Sequence, residues 1–340
     1  MNTVRLGKSE LIVTKPALGC LPIQRRSVED AARILRAAYN GGIRYFDTAN
    51  GYSDSEEKIG HALSDVRDDI IISTKSMARD GKTLTAHIET SLRRMKTDYI
   101  DLFQFHFVRE PITAGSEIYQ AALEAKRKGY IRHIGVTTHD LELAFKLVDS
   151  GLFETMQYPF SYLSLPREHE LVAYCREHDV GYIAMKGLAG GLLTNAKACA
   201  AFMNSFENVA PIWGVQTLEE LNQWLELAKN PPSLDDELRE YIEKDKAELS
   251  GSFCRGCGYC MPCPAGIEIN NSARMDMLIR RSPWRPYFTP EWQEKMSRIE
   301  NCLHCNRCKS RCPYGLDTPE LLKHNLEDYR SFLEIHKNEL

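Results

Sequence analysis

Eight of the chain's eleven cysteines crowd into two short runs, and thiolates at such spacing are first of all metal ligands. The first run reads Cys254-x2-Cys257-x2-Cys260-x2-Cys263-Pro264, the second Cys302-x2-Cys305-x2-Cys308-x3-Cys312-Pro313. Three thiolates spaced this way can take three corners of an iron–sulfur cube, and in two-cluster chains the fourth cysteine of each run crosses to the other cube. That rule assigns Cys254, Cys257, Cys260 and Cys312 to one [4Fe-4S] cluster, and Cys302, Cys305, Cys308 and Cys263 to a second. Paired four-thiolate zinc sites are the alternative, but they require neither two full runs nor a proline after the last cysteine. Before Cys263 the first run is one residue shorter than the usual bacterial pattern. Gly256 and Gly258 would let backbone N–H groups approach the sulfurs.

A second set of reactive types lies in the first third of the chain. Asp47 closes the stretch Ile43–Thr48, with Tyr52 in the loop just after; Lys75 closes Ile70–Thr74, and His106 closes Asp101–Phe105. Each alone reads as a structural residue. A carboxylate, a phenol, an ammonium and an imidazole at the ends of adjacent strands are harder to explain by packing. Brought together, they could move a proton at a carbonyl or alcohol.

The elements that must position these groups follow from periodicity. Short β-rich runs at Pro16–Cys20, Ile43–Thr48, Asp69–Thr74, Tyr99–Phe105, Ile131–Thr137, Thr155–Tyr158, Tyr182–Lys186 and Asn208–Trp213 alternate with amphipathic stretches. Ser27–Asn40 is a helix with Ser27 as its N-cap and Gly41-Gly42 as its stop. Similar patterns cover Thr85–Met95, Ser116–Lys128, Leu141–Asp149 and Glu168–His178. Eight strand–helix repeats predict an α/β fold closed as a (β/α)8 TIM barrel, whose strand ends share one rim. An open doubly wound sheet is the competitor, though no G-x-G-x-x-G follows the first strand. Helical patterns at Leu218–Leu227 and Leu234–Leu249 come next, and the composition changes at Gly251. The expected domains are therefore a barrel over 1–250 and a small C-terminal domain over 251–340. The long interval between the cysteine runs carries a helical Ala273–Arg281 stretch, which points to a helical ferredoxin-like domain. Arg274, Arg280, Arg281, Arg285, Arg307, Lys309 and Arg311 make this region basic. They could dock an acidic carrier such as a ferredoxin or flavodoxin, or simply form a solvated face.

Asp47-Thr48-Ala49 with Tyr52 and Ser55-Glu56, Ser73-Thr74-Lys75, and Asp101-Leu102-Phe103-Gln104-x-His106 together resemble the aldo-keto reductase family. The opening Val4–Val13 looks like that family's hairpin plug, and the resemblance runs to about residue 245. With the cysteine runs attached, the chain is similar to the family's ferredoxin-fused branch. The resemblance implies hydride exchange between NAD(P)H and a small carbonyl or alcohol substrate. Tyr52 would be the proton donor, with Lys75 lowering its pKa, Asp47 holding Lys75, and His106 orienting the carbonyl oxygen. The family's nucleotide contacts match in part. Gln157 falls at the carboxamide position, and Lys186 with Gly190-Gly191 is available for the pyrophosphate. Gln216 stands where a basic residue for a 2′-phosphate is expected, Met185 where an aromatic stacks on nicotinamide, and Thr137-Thr138 in place of Ser-Asn. Two-electron hydride and one-electron clusters need an intermediate carrier, usually a flavin, and no flavin motif stands out. Two other readings keep the same residues: a cluster-driven reductase without nicotinamide, and an electron-transfer or redox-sensing protein whose barrel only docks.

The totals set outer bounds. At 340 residues with 43% hydrophobic and 26% charged residues, this is an ordinary globular composition. A net charge of −4 argues against nucleic acid as the main ligand. No apolar run approaches the roughly 20 residues needed to span a bilayer. The opening MNTVRLGKSELIV lacks the long apolar core of a secretion signal, so the expected location is the cytoplasm.

Overall fold

The computed structural model describes residues 1–249, 253–256, 258–312 and 314–339; Gly251, Cys257 and Pro313 lie outside the described residues. Two compact units emerge: Met1–Gly187 with Ala196–Leu238, and Leu188–Asn195 with Arg239–Leu340.

The first unit opens with an antiparallel hairpin, β1 (Asn2–Arg5) and β2 (Ile12–Lys15). Eight strands follow: β3 (Ala17–Gly19), β4 (Tyr45–Asp47), β5 (Ile71–Ser76), β6 (Ile100–Phe105), β7 (Ile131–Thr137), β8 (Thr155–Pro159), β9 (Gly181–Met185) and β10 (Val209–Gly214). They pair in parallel in chain order, and β10 closes onto β3 to complete the barrel. Each of the eight expected strands corresponds to one of these, so the barrel replaces the open-sheet alternative. Around it run α1 (Val28–Asn40), α2 (Ser55–Leu63), α3 (Gly81–Met95), α4 (Glu117–Arg127), α5 (Leu141–Asp149), α6 (Pro166–Glu177), α7 (Ala196–Asn204) and α8 (Leu218–Lys229).

Local chemistry explains the helix starts. Ser27 caps α1 by accepting from Asp30 N at 3.0 Å, Asp80 caps α3 through Thr83 N at 2.8 Å, and Asp140 caps α5 through Leu143 N at 2.9 Å. Helix α3 begins four residues before its expected start, because Asp80 supplies the cap ahead of Gly81-Lys82. Helices α2 and α7 carry no clear apolar periodicity and were not expected as elements.

The hairpin seals the N-terminal end of the barrel. Val4, Leu6 and Val13 pack in one cluster with Ala17, Tyr45, Leu102, Ile183 and Ala210 from the strands. Gly7 permits the close approach, since a Cβ there would lie 2.4 Å from Asp179 O and its φ is +52°. With that end plugged, the site belongs at the opposite rim, where the carboxyl ends of the strands lie.

The second unit is helical: α9 (Asp236–Glu248), α10 (Ile269–Ser272), α11 (Met275–Arg281), α12 (Pro290–Ser297), α13 (Arg307–Ser310) and α14 (Thr318–His336). Its limits differ from the compositional boundary at Gly251. Most of α9 and the loop 188–195 belong with it, because packing and not composition defines a compact unit. Phe288 stacks on Tyr329 at 4.5 Å and on Phe332 at 5.4 Å, which anchors α14 in this unit's core.

Candidate active site

Asp47 is the last residue of β4 and Lys75 the fifth of β5, and the two strands pair Asp47 with Ser73. Side chains two apart on a strand share a face, so Ser73 and Lys75 both reach Asp47. Lys75 Nζ donates to Asp47 Oδ2 at 2.6 Å and to Thr48 O at 2.6 Å. Asp47 Oδ1 accepts from Ser73 Oγ at 2.6 Å and from Gln104 Nε2 at 3.4 Å. Lys75 is 1% exposed and Asp47 2%, so this is a buried ion pair, with both Asp47 oxygens accepting and Lys75 donating also to a backbone carbonyl. Burial is the largest single influence and would drain the charge from Lys75, but Asp47, Tyr52 and Cys20 together outweigh it and hold Lys75 above its ordinary value.

Tyr52 lies in the short loop between β4 and α2. Thr48 and Ser55 hydroxyls bond at 2.8 Å, Ser55 Oγ reaches Cys20 O at 2.8 Å, and Ser55 N bonds to Tyr52 O at 2.8 Å. Behind the loop, buried Glu56 accepts from Thr74 Oγ1 at 2.6 Å and faces Arg94 at 3.4 Å. This lacing places the Tyr52 ring 5.4 Å from Lys75 Nζ and edge-on to His106, with ring centroids 5.7 Å apart. The four groups expected at one rim are therefore brought together. One expectation needs correction. Burial raises the Tyr52 pKa, and the lowering influence of Lys75 is the smaller effect, so the phenol is held protonated.

His106 follows β6 directly. Burial, and then Lys75, lower its pKa to about 3, so the imidazole is neutral across the physiological range. Its Nδ1 has no hydrogen-bond partner among the described residues. A neutral ring of this kind donates one hydrogen bond and adds no charge.

The expected nucleotide residues are more dispersed. Gln157 on β8 is buried, and its Oε1 accepts from Gln104 Nε2 at 2.8 Å. Lys186 follows β9 in left-handed conformation. Gly190 and Gly191, with φ of +71° and +96°, belong to the second unit. Gln216 follows β10, and its backbone N donates to Glu220 Oε2 at 2.6 Å, putting a carboxylate where the resemblance implied a cation. Thr137 Oγ1 accepts from Phe107 N at 2.8 Å, and Thr138 Oγ1 donates to Val108 O at 2.9 Å, so both hydroxyls serve the backbone.

Three further residues join the site without having been singled out. Gln104 links Asp47 to Gln157, and its place two residues before His106 on the same strand face was a readable signal. Cys20, fully buried after β3, has its thiol pushed far up by burial and then by Asp47. His139 packs edge-on against Phe107 at 5.6 Å, and burial, Lys186 and His106 keep it neutral.

In the second unit, cysteines of both runs line two apolar cavities. One is lined by Cys254, Cys260 and Cys312, the other by Cys263, Cys302, Cys305 and Cys308, and Cys260 also borders the second. Each run thus lends its last cysteine to the other run's cavity, and thiols ringing a volume fit a cube. Gly256 N donates to Cys254 Sγ at 3.4 Å, an approach its φ of +64° makes easy. Among the described residues, three of the seven basic residues of this region form ion pairs: Arg280 with Asp328, Arg281 with Asp245 and Glu248, and Lys309 with Asp317.

Residues 18–241 match the Aldo/keto reductase family, and residues 253–317 match a 4Fe-4S dicluster domain. An uncharacterized oxidoreductase of Bacillus subtilis, YqkF, is 28% identical over 266 residues, 74% of this chain and 85% of its own length. An aldo-keto reductase of Bacillus halodurans superposes with a TM-score of 0.64 at 24% identity, covering 72% of this chain and 96% of that one. An aldo/keto reductase of Klebsiella pneumoniae in complex with NADP and acetate gives a TM-score of 0.62 at 23% identity, covering 71% and 94%. Among the described residues no helix is long and apolar enough to cross a membrane. On the span of that family match, the chain belongs to the aldo/keto reductase family, as an oxidoreductase with a C-terminal 4Fe-4S dicluster domain.

Proposed function

We propose that the barrel exchanges a hydride between NAD(P)H and a small carbonyl or alcohol, with Tyr52 as proton donor, while the two clusters relay single electrons to or from a protein carrier; a two-electron carrier such as a flavin, supplied from outside the chain, would split the hydride's electron pair between the two. The observation that carries this reading is the buried Lys75–Asp47 pair beneath the Tyr52 ring, with neutral His106 beside it. A carbonyl oxygen that gains negative charge needs a proton and a nearby cation. Tyr52, kept protonated by burial, offers the proton, and the Lys75 ammonium favours the phenolate left behind. Asp47 holds Lys75 by charge and position, and a neutral His106 can donate to the same oxygen without competing as a base.

Bound NAD(P)H would supply the hydride. Gln157 would hold its carboxamide, and the buried Gln104 Oε1, which lacks a partner among the described residues, leaves polar capacity beside it. The NADP in complex with the Klebsiella relative supports a nicotinamide for this chain too. The cysteine-lined cavities would hold the clusters, Cys254, Cys257, Cys260 and Cys312 in one and Cys263, Cys302, Cys305 and Cys308 in the other. Cys305 is exposed and Leu303 is 65% exposed, so electrons would pass at this loop to a carrier such as a ferredoxin or flavodoxin. Clusters of this kind suit the reducing cytoplasm.

A second reading, reduction driven by the clusters without nicotinamide, draws on the engaged Thr137 and Thr138 hydroxyls and the carboxylate at Gln216. Anaerobic mixing of the iron-loaded chain with NADPH or NADH separates the two. Nucleotide oxidation that depends on an added aldehyde or ketone supports the first, and bleaching of the cluster absorption supports electron relay. No nucleotide binding at all refutes the first and leaves the second.

A further inference from the structure

The loop 188–195 leaves the first unit after Gly187 and returns to it at Ala196, yet its packing partners lie in the helical unit. Two arginines hold it by its carbonyls. Arg281 Nε donates to Leu192 O at 2.8 Å, and Arg281 is itself fixed by Asp245 and Glu248. Arg274 Nη1 donates to Ala189 O at 3.4 Å, and a Cβ on Gly190 would meet that same nitrogen at 2.4 Å.

Arg274 is the unusual one. It is 8% exposed and has no carboxylate partner among the described residues. Among the described residues its only side-chain partner is the neutral Asn271 Oδ1 at 3.3 Å, and its Nε has none. A buried cation without an anion is costly. What surrounds it is the first cysteine run. A Cβ on Gly256 would lie 2.9 Å from the guanidinium carbon, and burial pulls the Arg274 pKa below its ordinary value, with negative charge at Cys254 and Tyr287 opposing that only in part. Four thiolates on a cluster would bring the missing negative charge to this place.

We propose that Arg274 is a positioning residue that joins the first cluster to the Gly190-Gly191 loop: its guanidinium is the buried counter-charge of the cluster at Cys254 and at the same time the clamp on Ala189–Gly190. Because one side chain serves both, a change at either end is felt at the other. A cation next to the cluster favours its more negative, reduced form and so raises its potential. The proposal rests on the cluster assignment but not on the nucleotide reading; it gives that reading a physical link between the electron relay and the loop expected to hold pyrophosphate.

The test uses the full-length, anaerobically iron-loaded chain and the variants Arg274→Gln, Arg274→Lys and Gly190→Ala. Potentiometric titration with EPR detection reads each cluster, and amide hydrogen exchange reads residues 188–195. Arg274→Gln is expected to shift one cluster to a more negative potential and leave the other unmoved. Exchange in the loop should rise about tenfold, the effect of losing one hydrogen bond from a charged donor. Arg274→Lys should restore the potential but not the loop protection, since one ammonium cannot replace the fork. Gly190→Ala adds no charge and removes no ligand, yet it should shift the same cluster by displacing the guanidinium. A fully iron-loaded Arg274→Gln with both potentials and loop exchange unchanged overturns the proposal. If that variant does not load iron, an unmoved potential in Gly190→Ala overturns it instead. Neither readout needs nucleotide, so failure of NAD(P)H to bind would sink the reductase reading and leave this test intact.

Discussion

Replacing Lys75 with methionine isolates the contact on which the proposed chemistry stands. The side chains have similar length, so the substitution removes the charge with little change in volume. Asp47, 2% exposed, would keep its hydrogen bonds from Ser73 and Gln104 but lose its cation, and Thr48 O would lose its donor. Removing one partner of a buried pair costs about 3–5 kcal/mol, because the other is left as an uncompensated buried charge. Asp47→Asn alone strands Lys75 in the same way. The double variant Asp47→Asn/Lys75→Met carries neither charge, so it should be more stable than the sum of the two losses by about 2–3 kcal/mol, at the upper end of measured couplings. Denaturant unfolding followed by near-ultraviolet circular dichroism reads the barrel through the Trp213–Trp224 stack, with centroids 4.0 Å apart, and the matched unfolding of the unaltered chain accounts for the Trp284 and Trp292 signal of the helical unit. Carbonyl turnover in Lys75→Met should fall by about 10²–10⁴, the usual worth of a positioned proton-transfer system. Additive single losses, with no recovery in the double variant, would refute the claim that Lys75 and Asp47 stabilise each other as a buried pair.

The other expectations follow from the same contacts. Because Tyr52 is held protonated, the reductive rate should stay level up to at least the ordinary tyrosine pKa of about 10, while alcohol oxidation should climb with pH; pH–rate profiles in both directions check this. His106 has a folded pKa of about 3 against an ordinary value of 6.5, so its contribution is complete above pH 6.5 and is lost as pH falls towards 3, by about 1.4 kcal/mol per unit; pH-dependent unfolding measures the slope, which His106→Asn should reduce. Leu6→Ala, in the hairpin plug, should destabilise the barrel by about 2–5 kcal/mol on thermal unfolding. Cys312→Ser should disturb the EPR signal of the cluster whose other ligands come from the first run, and Cys263→Ser the other signal.

The barrel was legible because eight β-rich runs recur with helices between them, and strand ends in such a fold share a rim. Hence Asp47, Lys75 and His106 could be placed before any coordinates. The spacing likewise anticipates that Cys263 and Cys312 each line the cavity of the other run. What stayed hidden depends on burial and packing. Whether burial or Lys75 governs the Tyr52 proton is a competition of magnitudes that residue types do not reveal, and burial wins. The Gly190-Gly191 loop reads as part of the barrel by position, but Arg274 and Arg281, some 85–90 residues later, take hold of its carbonyls. In the sequence Gln104 stands out only as part of a motif, and its tie between Asp47 and Gln157 depends on the pairing register of β6 with its neighbours.

The most direct test is a comparison of the iron-loaded chain with its Tyr52→Phe variant, measuring NAD(P)H affinity and single-turnover reduction of an aldehyde. The account predicts unchanged affinity and intact cluster spectra, with the reductive step slowed by about 10²–10⁴. Reduction at the unaltered rate would contradict it, because Tyr52 is the group assigned to give up the proton beside the Lys75 ammonium.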